Sequence, residues 1–193
     1  MSHVLTADGG TESLRVRIYD LDGRCVASHA EPYKTKFMAG ARAEQNAEDW
    51  WSSLVTATQI CLKEANISGD AIDAMAYATT CCTVVALDKN GAPLRPALMW
   101  MDVRADKEAE AVLETGDQRL ILNGNGQGPV SAEWMIPKAL WLKRNEPKIF
   151  DDAVTICEYQ DYLTMRLTGE RCASLNNIGP VSYTHLTLPT IAV

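Results

Sequence analysis

Between Ser2 and Ala30 the chain alternates apolar and polar residues and is cut twice by Asp-Gly turn chemistry, which leaves little choice but a meander of antiparallel strands. The apolar run from Ser2 to Ala7 stops at Asp8-Gly9-Gly10. Leu14, Val16 and Ile18 then share one face, and Arg15, Arg17 and Tyr19 share the other. Asp22-Gly23 supplies a hairpin turn into Arg24 to Ala30. Three strands therefore open the chain.

A helix comes next. Asn46 is its expected N-cap, with Glu48 and Asp49 in the first turn, where the helix dipole favours anions. Trp50, Leu54, Ala57 and Cys61 recur at spacings that form one buried stripe, and Ser68-Gly69-Asp70 is read as the end of the element. Ile72 to Ala78 and Thr83 to Leu87 read as strands joined through Thr79-Thr80-Cys81-Cys82, the first parallel to a strand of the meander because it follows a crossover helix. Lys89-Asn90-Gly91 is a turn, and Leu98 to Met101 a short buried segment. A charged helix is expected over Arg104 to Glu114, opened by Asp102, and a loop over Asn123 to Pro129. A helix over Pro137 to Arg144, a strand over Val154 to Cys157 and a helix over Tyr159 to Leu167, closed by Gly169, complete the order. This succession is α/β, with a mixed sheet flanked by helices.

Composition narrows the class of function. The chain has 193 residues, is 47% hydrophobic and 22% charged, and carries a net charge of −7. No block of like charges and no run of 18 apolar residues interrupts it, so neither a nucleic acid nor a membrane is the expected partner. The first twenty residues lack the apolar segment of a secretory signal, and a cytoplasmic location is expected. The six cysteines form no C-x-x-C pair and read as buried hydrophobes in a reducing compartment. Residues 172–193 contain no Asp, Glu, Lys or Arg, yet Thr184, His185 and Pro189 make the stretch too polar for a span.

The strongest local signal is Asp8-Gly9-Gly10-Thr11-Glu12-Ser13, between two strands of a hairpin. Glycines that adopt positive φ turn successive amides toward one point and make an anion nest. Thr11 and Ser13 add hydroxyls, Arg15 adds charge, and Asp8 is placed to hold a hydrated Mg²⁺, a layout suited to phosphoryl transfer. By itself the segment is equally an ordinary tight β-turn rich in Gly and Asp.

Asp8-Gly-Gly-Thr-Glu-Ser followed by Arg15 resembles the first phosphate motif, D-x-G-T-x-S-x-R, of the FGGY carbohydrate kinases. These belong to the actin, Hsp70 and hexokinase-like (RNase H-like) ATPases. Other segments resemble the family in the same order. They are Gln45 to Trp51 (Q-x-x-E-D-W-W), Thr79 to Asp88 with Gly91 and Pro93-Leu94, Trp100 to Ala105 (W-x-D-x-R-A), Ser131 to Trp134 with Pro137-Lys138 and Trp141-Leu142, and Glu158 to Gly169. The likeness covers roughly Val4 to Ile178 and points to the N-terminal domain of a ribulokinase- or xylulokinase-like member.

The resemblance implies ATP and Mg²⁺ as cofactors, with Asp8, Gly9, Gly10, Thr11, Ser13 and Arg15 facing the phosphates and the metal. It implies a sugar or polyol as partner, lined by Thr80, Cys81, Asp102, Arg104 and Glu133. On the residues alone, Asp102 is also a helix cap, Arg104 a surface ion pair and Glu133 a first-turn acid. Glycerol- and xylulose-directed members carry Arg-Glu or Met-His side chains where Thr80-Cys81-Cys82 stands here, so the substrate is expected to be a pentulose or pentitol seen through different contacts. The family's general base, an Asp, and its adenosine pocket lie in sequence expected after this chain, which is therefore read as residues 1–178 of an incomplete N-terminal domain, inactive alone. The full-length form is expected to be a soluble homodimer. Residues 179–193 are read as a non-native tail because the family pattern breaks at Gly179. The alternatives are a non-catalytic sugar-binding or regulatory domain, and an actin- or chaperone-like member, which leaves Trp100 to Arg104 unexplained.

Overall fold

The computed structural model describes residues 2–117 and 130–173. The expected loop over Asn123 to Pro129 and the tail from residue 179 lie outside the described residues. The three opening strands form as the alternation requires: β1 (His3–Gly9), β2 (Ser13–Asp20) and β3 (Cys25–Pro32), each antiparallel to the next. Leu14, Val16 and Ile18 are fully buried on one face of β2, while Arg15 and Arg17 are exposed on the other. One-residue slips are excluded because each would carry this apolar set into solvent.

Helix α1 (Ala47–Ala65) covers the apolar face of that sheet. The Asn46 side chain accepts from the Glu48 amide at 3.3 Å, and Trp50, Leu54, Ala57 and Cys61 are all buried, as their spacing predicts. Burial of each large member contributes about 1.5–3 kcal/mol. The helix stops at Asn66, whose φ of 52° is left-handed, and not at Ser68-Gly69-Asp70, where a single 3₁₀ turn (Gly69–Ala71) forms instead. Strand β6 (Ile72–Thr79) then returns parallel to β1 and completes a mixed sheet in the order β3-β2-β1-β6, once β4 (Lys36–Met38) and β5 (Arg42–Gln45) are set aside.

Those two short strands belong to a second sheet that the sequence pattern does not reveal. Its order is β4-β5-β8-β7-β9, with β7 (Val84–Leu87), β8 (Ala97–Leu98) and β9 (Thr155–Glu158). All its pairings are antiparallel. The chain crosses from the first sheet to the second through Thr80–Thr83. The remaining elements are α2 (Asp106–Leu113), α3 (Met135–Asn145), α4 (Pro147–Asp152) and α5 (Tyr159–Thr168). Gly169 ends α5 at φ 79°, as expected. Helix α2 begins later than Arg104 and is not capped by Asp102. Among the described residues no helix is long and apolar enough to cross a membrane, and all six cysteines are free thiols.

Candidate active site

The turn joining β1 to β2 lies at the end of the first sheet, beside the crossover to the second. Thr80 prolongs the β1–β6 pairing by donating its amide to the Gly9 carbonyl at 3.0 Å. Asp8 and Arg15 are direct cross-strand partners, and both are exposed on the face away from α1. Neither Gly9 nor Gly10 adopts positive φ, so the expected nest is not made by glycine dihedrals. Gly9 is required for another reason. A Cβ there would stand 2.7 Å from the Tyr159 hydroxyl, and that ring is fully buried and stacked on Trp50 with centroids 3.9 Å apart.

The turn is shaped instead by its carbonyls, which are held from one side. Tyr33 donates its hydroxyl to the Gly10 and Ser13 carbonyls and its amide to Glu12 O at 3.0 Å. Gln45 Nε2 donates to Thr11 O at 2.6 Å, and Gln45 Oε1 accepts from the indole of buried Trp50 at 2.8 Å. Because a trans peptide sets C=O and N–H on opposite sides, anchoring the carbonyls of Gly10, Thr11 and Glu12 turns the following amides of Thr11, Glu12 and Ser13 the other way. Burial pushes the Tyr33 phenol up to about 12, only partly offset by its hydrogen bond to Tyr159, so it stays a proton donor at neutral pH.

Beside this turn is a pocket of about 260 Å³ lined by Thr11, Thr80, Cys81, Cys82, Trp100 and Glu133. Trp100 is 37% exposed, and its indole donates to Thr11 Oγ1 at 3.1 Å. One residue, Thr11, thus belongs to both the turn and the pocket. The Ser131 hydroxyl accepts from the Glu133 amide at 3.2 Å and fixes the approach to α3. Cys82 has a left-handed φ of 57° and is buried, whereas Cys81 is exposed. Lys138, on the first turn of α3, is fully buried behind the pocket, with Nζ 2.8 Å from Cys82 O and 2.6 Å from Met99 O.

The structure brings Thr80, Cys81 and Glu133 together with Thr11, but it does not bring Asp102 or Arg104 to that surface. The expectation that these two contact a sugar is corrected by burial. Asp102 is fully buried and its carboxylate accepts from the Ala43 amide at 2.7 Å and from the Arg104 amide and guanidinium. Arg104, with a side chain 3% exposed, also pairs with Glu44 at 2.8 Å and lies over the Trp141 ring. Burial raises the Asp102 pKa, but the Arg104 and Ala43 hydrogen bonds outweigh it and hold the carboxyl below its usual range. The pair braces the second sheet behind the pocket and is neither a helix cap nor a surface ion pair. Sequence reasoning passed over Tyr33, Gln45 and Lys138 as site residues, whereas Cys82 lies in the loop expected to line the cleft. Gln45 and Trp100 were visible within motifs, but nothing in the sequence signals Tyr33.

The profile of the FGGY family of carbohydrate kinases, N-terminal domain, matches residues 3–188. The chain belongs to this family. It is 29% identical over 171 residues to the xylulose kinase of Lactococcus lactis, covering 88% of this chain and 33% of that protein. With a D-ribulokinase of Saccharomyces cerevisiae it shares 28% identity over 174 residues, covering 84% and 24%. The crystal structure of xylulose kinase from Rhodospirillum rubrum superposes with a TM-score of 0.85 at 26% identity, over 95% of this chain and 38% of that one. This FGGY chain thus spans about a third of the length of the curated relatives it matches.

Proposed function

We propose that the chain supplies the phosphate turn and part of the acceptor pocket of an ATP-dependent kinase acting on a pentulose or pentitol. The observation that carries this reading is the Trp100 Nε1 to Thr11 Oγ1 hydrogen bond, because it joins the turn and the pocket within one residue. Phosphoryl transfer needs its acceptor oxygen and phosphate held in contact, and positioning is most of the catalysis. The residues fit Mg-ATP through the exposed carboxylate of Asp8, the outward amides of the anchored turn and the Arg15 guanidinium opposite Asp8. When bound, Mg-ATP supplies the transferable phosphoryl group, with Asp8 holding the metal through water.

The protein's own groups do the rest. A hydroxyl has one proton to give, and since Thr11 Oγ1 already accepts from Trp100, that proton is free to reach a phosphate or sugar oxygen. Ser13 and the Gly9-Gly10 segment border the same phosphate position. Glu133 accepts from a sugar hydroxyl, Thr80 offers its hydroxyl, Cys81 presents a weakly polar wall, and the Trp100 ring covers a C–H face of the sugar. Asp102 and Arg104 act from behind by fixing the segment that carries Trp100. The names of the relatives favour a pentulose, and a cytoplasmic enzyme is the setting such a substrate suits.

In this reading the general base and adenosine pocket are supplied by sequence beyond the chain, and the 193-residue chain does not turn over. The test is ADP release with Mg-ATP across a panel of pentuloses and pentitols, run on this chain and on the product of the gene extended downstream. Turnover by the extended protein only is expected. Turnover by the chain alone refutes the division of labour, and an extended protein that binds sugar without turnover establishes the non-catalytic alternative. The boundary at residue 178 is a separate proposal. A genomic clone that encodes the same tail followed by a natural stop ends it.

A further inference from the structure

We infer that Lys138 is the positioning residue of this pocket, its buried ammonium clamping the Thr80–Cys82 crossover to the Met99–Trp100 segment so that the two walls keep one spacing. The inference rests on reading the pocket as the acceptor site only for its consequence on sugar binding. The clamp itself is independent of that reading.

Lys138 is 0% exposed, and its Nζ lies 2.8 Å from Cys82 O, 2.6 Å from Met99 O and 3.5 Å from Trp100 O. These carbonyls belong to two segments that line or adjoin the pocket, one at Cys82 and one at Met99–Trp100, and the two are distant in sequence from each other and from α3. An ammonium offers three donors around one point, which suits three convergent carbonyls, whereas a neutral amine offers two and a methyl group none. Burying that charge is costly unless it is hydrogen-bonded, and the bonds it makes go to backbone. Cys82 adds a reason for a clamp, because its left-handed φ is unfavourable for a residue with a Cβ and persists only where surrounding contacts enforce it. The same helix start that delivers Lys138 follows Glu133, so one element sets both the clamp and a lining carboxylate.

The clamp is sensitive to pH. Burial brings the lysine down to about 8, against the raising influence of Cys82, Asp102, Glu133 and Glu158, which face it from the crossover, the Met99–Arg104 segment, the start of α3 and the end of β9. The folded value lies below the unfolded 10.5, so between these limits the folded state binds fewer protons and this group makes global stability rise with pH. The pocket responds with the opposite sign, since loss of the third donor loosens its walls over the same window. A lysine serving only the core would give the first effect without the second.

The test labels the 193-residue chain with N-ethylmaleimide and reads Cys82 against Cys61 by peptide mass spectrometry. Cys61 is buried in α1, away from the pocket, and burial raises both thiols; the lysine's charge in addition lowers Cys82, so losing that charge works against labelling of Cys82 and a faster reaction there reports opened access. In Lys138→Met, Cys82 is expected to react about tenfold faster at pH 7 with Cys61 unchanged, the factor for one net hydrogen bond lost from the closed state. In the wild type the Cys82-to-Cys61 ratio is expected to rise between pH 7 and pH ~9.5, an interval that brackets the lysine's titration. A ratio that stays flat in the wild type overturns the clamp whether or not the variant folds. Equal acceleration of both cysteines in the variant also overturns it, since that is a global effect. Calorimetric titration with a pentulose separates the two claims. Wild type that binds no sugar removes the acceptor reading and leaves the labelling result to decide the clamp, whereas wild type and Lys138→Met binding equally well overturns the clamp's role in the pocket.

Discussion

Gly9 and Gly10 are adjacent and occupy one motif, yet their replacement by alanine should have opposite consequences. A Cβ on Gly9 meets Tyr159 at 2.7, 2.8 and 2.9 Å, all inside any tolerated contact. The ring has nowhere to go, being stacked on Trp50 and fully buried. Overpacking of this kind costs about 1–3 kcal/mol. It is offset by about 0.4–1 kcal/mol from the reduced freedom of the unfolded chain, since the φ of Gly9 is not left-handed. Gly9→Ala should therefore lose ~1–2 kcal/mol, a fall in Tm of about 2–8 °C for a chain of this size. At Gly10 the nearest atom to a Cβ is Ser13 O at 3.4 Å, an ordinary contact, so Gly10→Ala should be neutral or stabilised by up to about 1 kcal/mol. Urea unfolding followed by circular dichroism measures both. If the two variants are destabilised equally, the turn depends on glycine dihedrals after all and the packing argument fails.

Other expectations follow from the same contacts. Gln45→Leu strands the buried Trp50 indole and frees the Thr11 carbonyl, and should cost about 1–3 kcal/mol in urea unfolding. Asp102→Ala leaves Arg104 buried without its closest carboxylate and should cost about 3–5 kcal/mol, against little change for a surface control such as Asp22→Ala. Because the folded Asp102 carboxyl lies below its unfolded value, its contribution is present above about pH 4 and is lost as pH falls through the folded pKa; acid unfolding of the wild type and of Asp102→Asn should differ in that range. Trp100→Phe keeps an aromatic wall but removes the donor to Thr11, and should weaken sugar binding about two- to tenfold in calorimetry. Strand β6 is an edge strand with Ala74, Met75 and Ala76 exposed, so the isolated chain should self-associate in sedimentation at high concentration.

The elements that build the first sheet were legible because their signals are local. Alternation in Leu14 to Tyr19, the Asn46 cap and the Trp50-to-Cys61 stripe each need only neighbours in sequence to be read. The second sheet was not legible, since β4, β5 and β8 are two to four residues long and exist through pairing with distant segments. For the site, the motif letters located Thr11, Thr80, Cys81 and Glu133 but could not show that Asp102 and Arg104 are spent on one another and on Glu44. Gly9 was read for its own dihedral when the deciding atom is on Tyr159, far along the chain. Lys138 was visible in Pro137-Lys138, yet its burial depends on three carbonyls brought together by the fold.

The most direct test of the account is a titration of the ¹⁵N-labelled 193-residue chain with a pentulose, followed at the Trp100 indole N–H and the Thr11, Thr80 and Cys81 amides. The account predicts that these four resonances shift together and saturate with one dissociation constant. Shifts confined to the larger polar groove lined by Lys89, Arg166 and Arg171, or none at millimolar sugar, would contradict it.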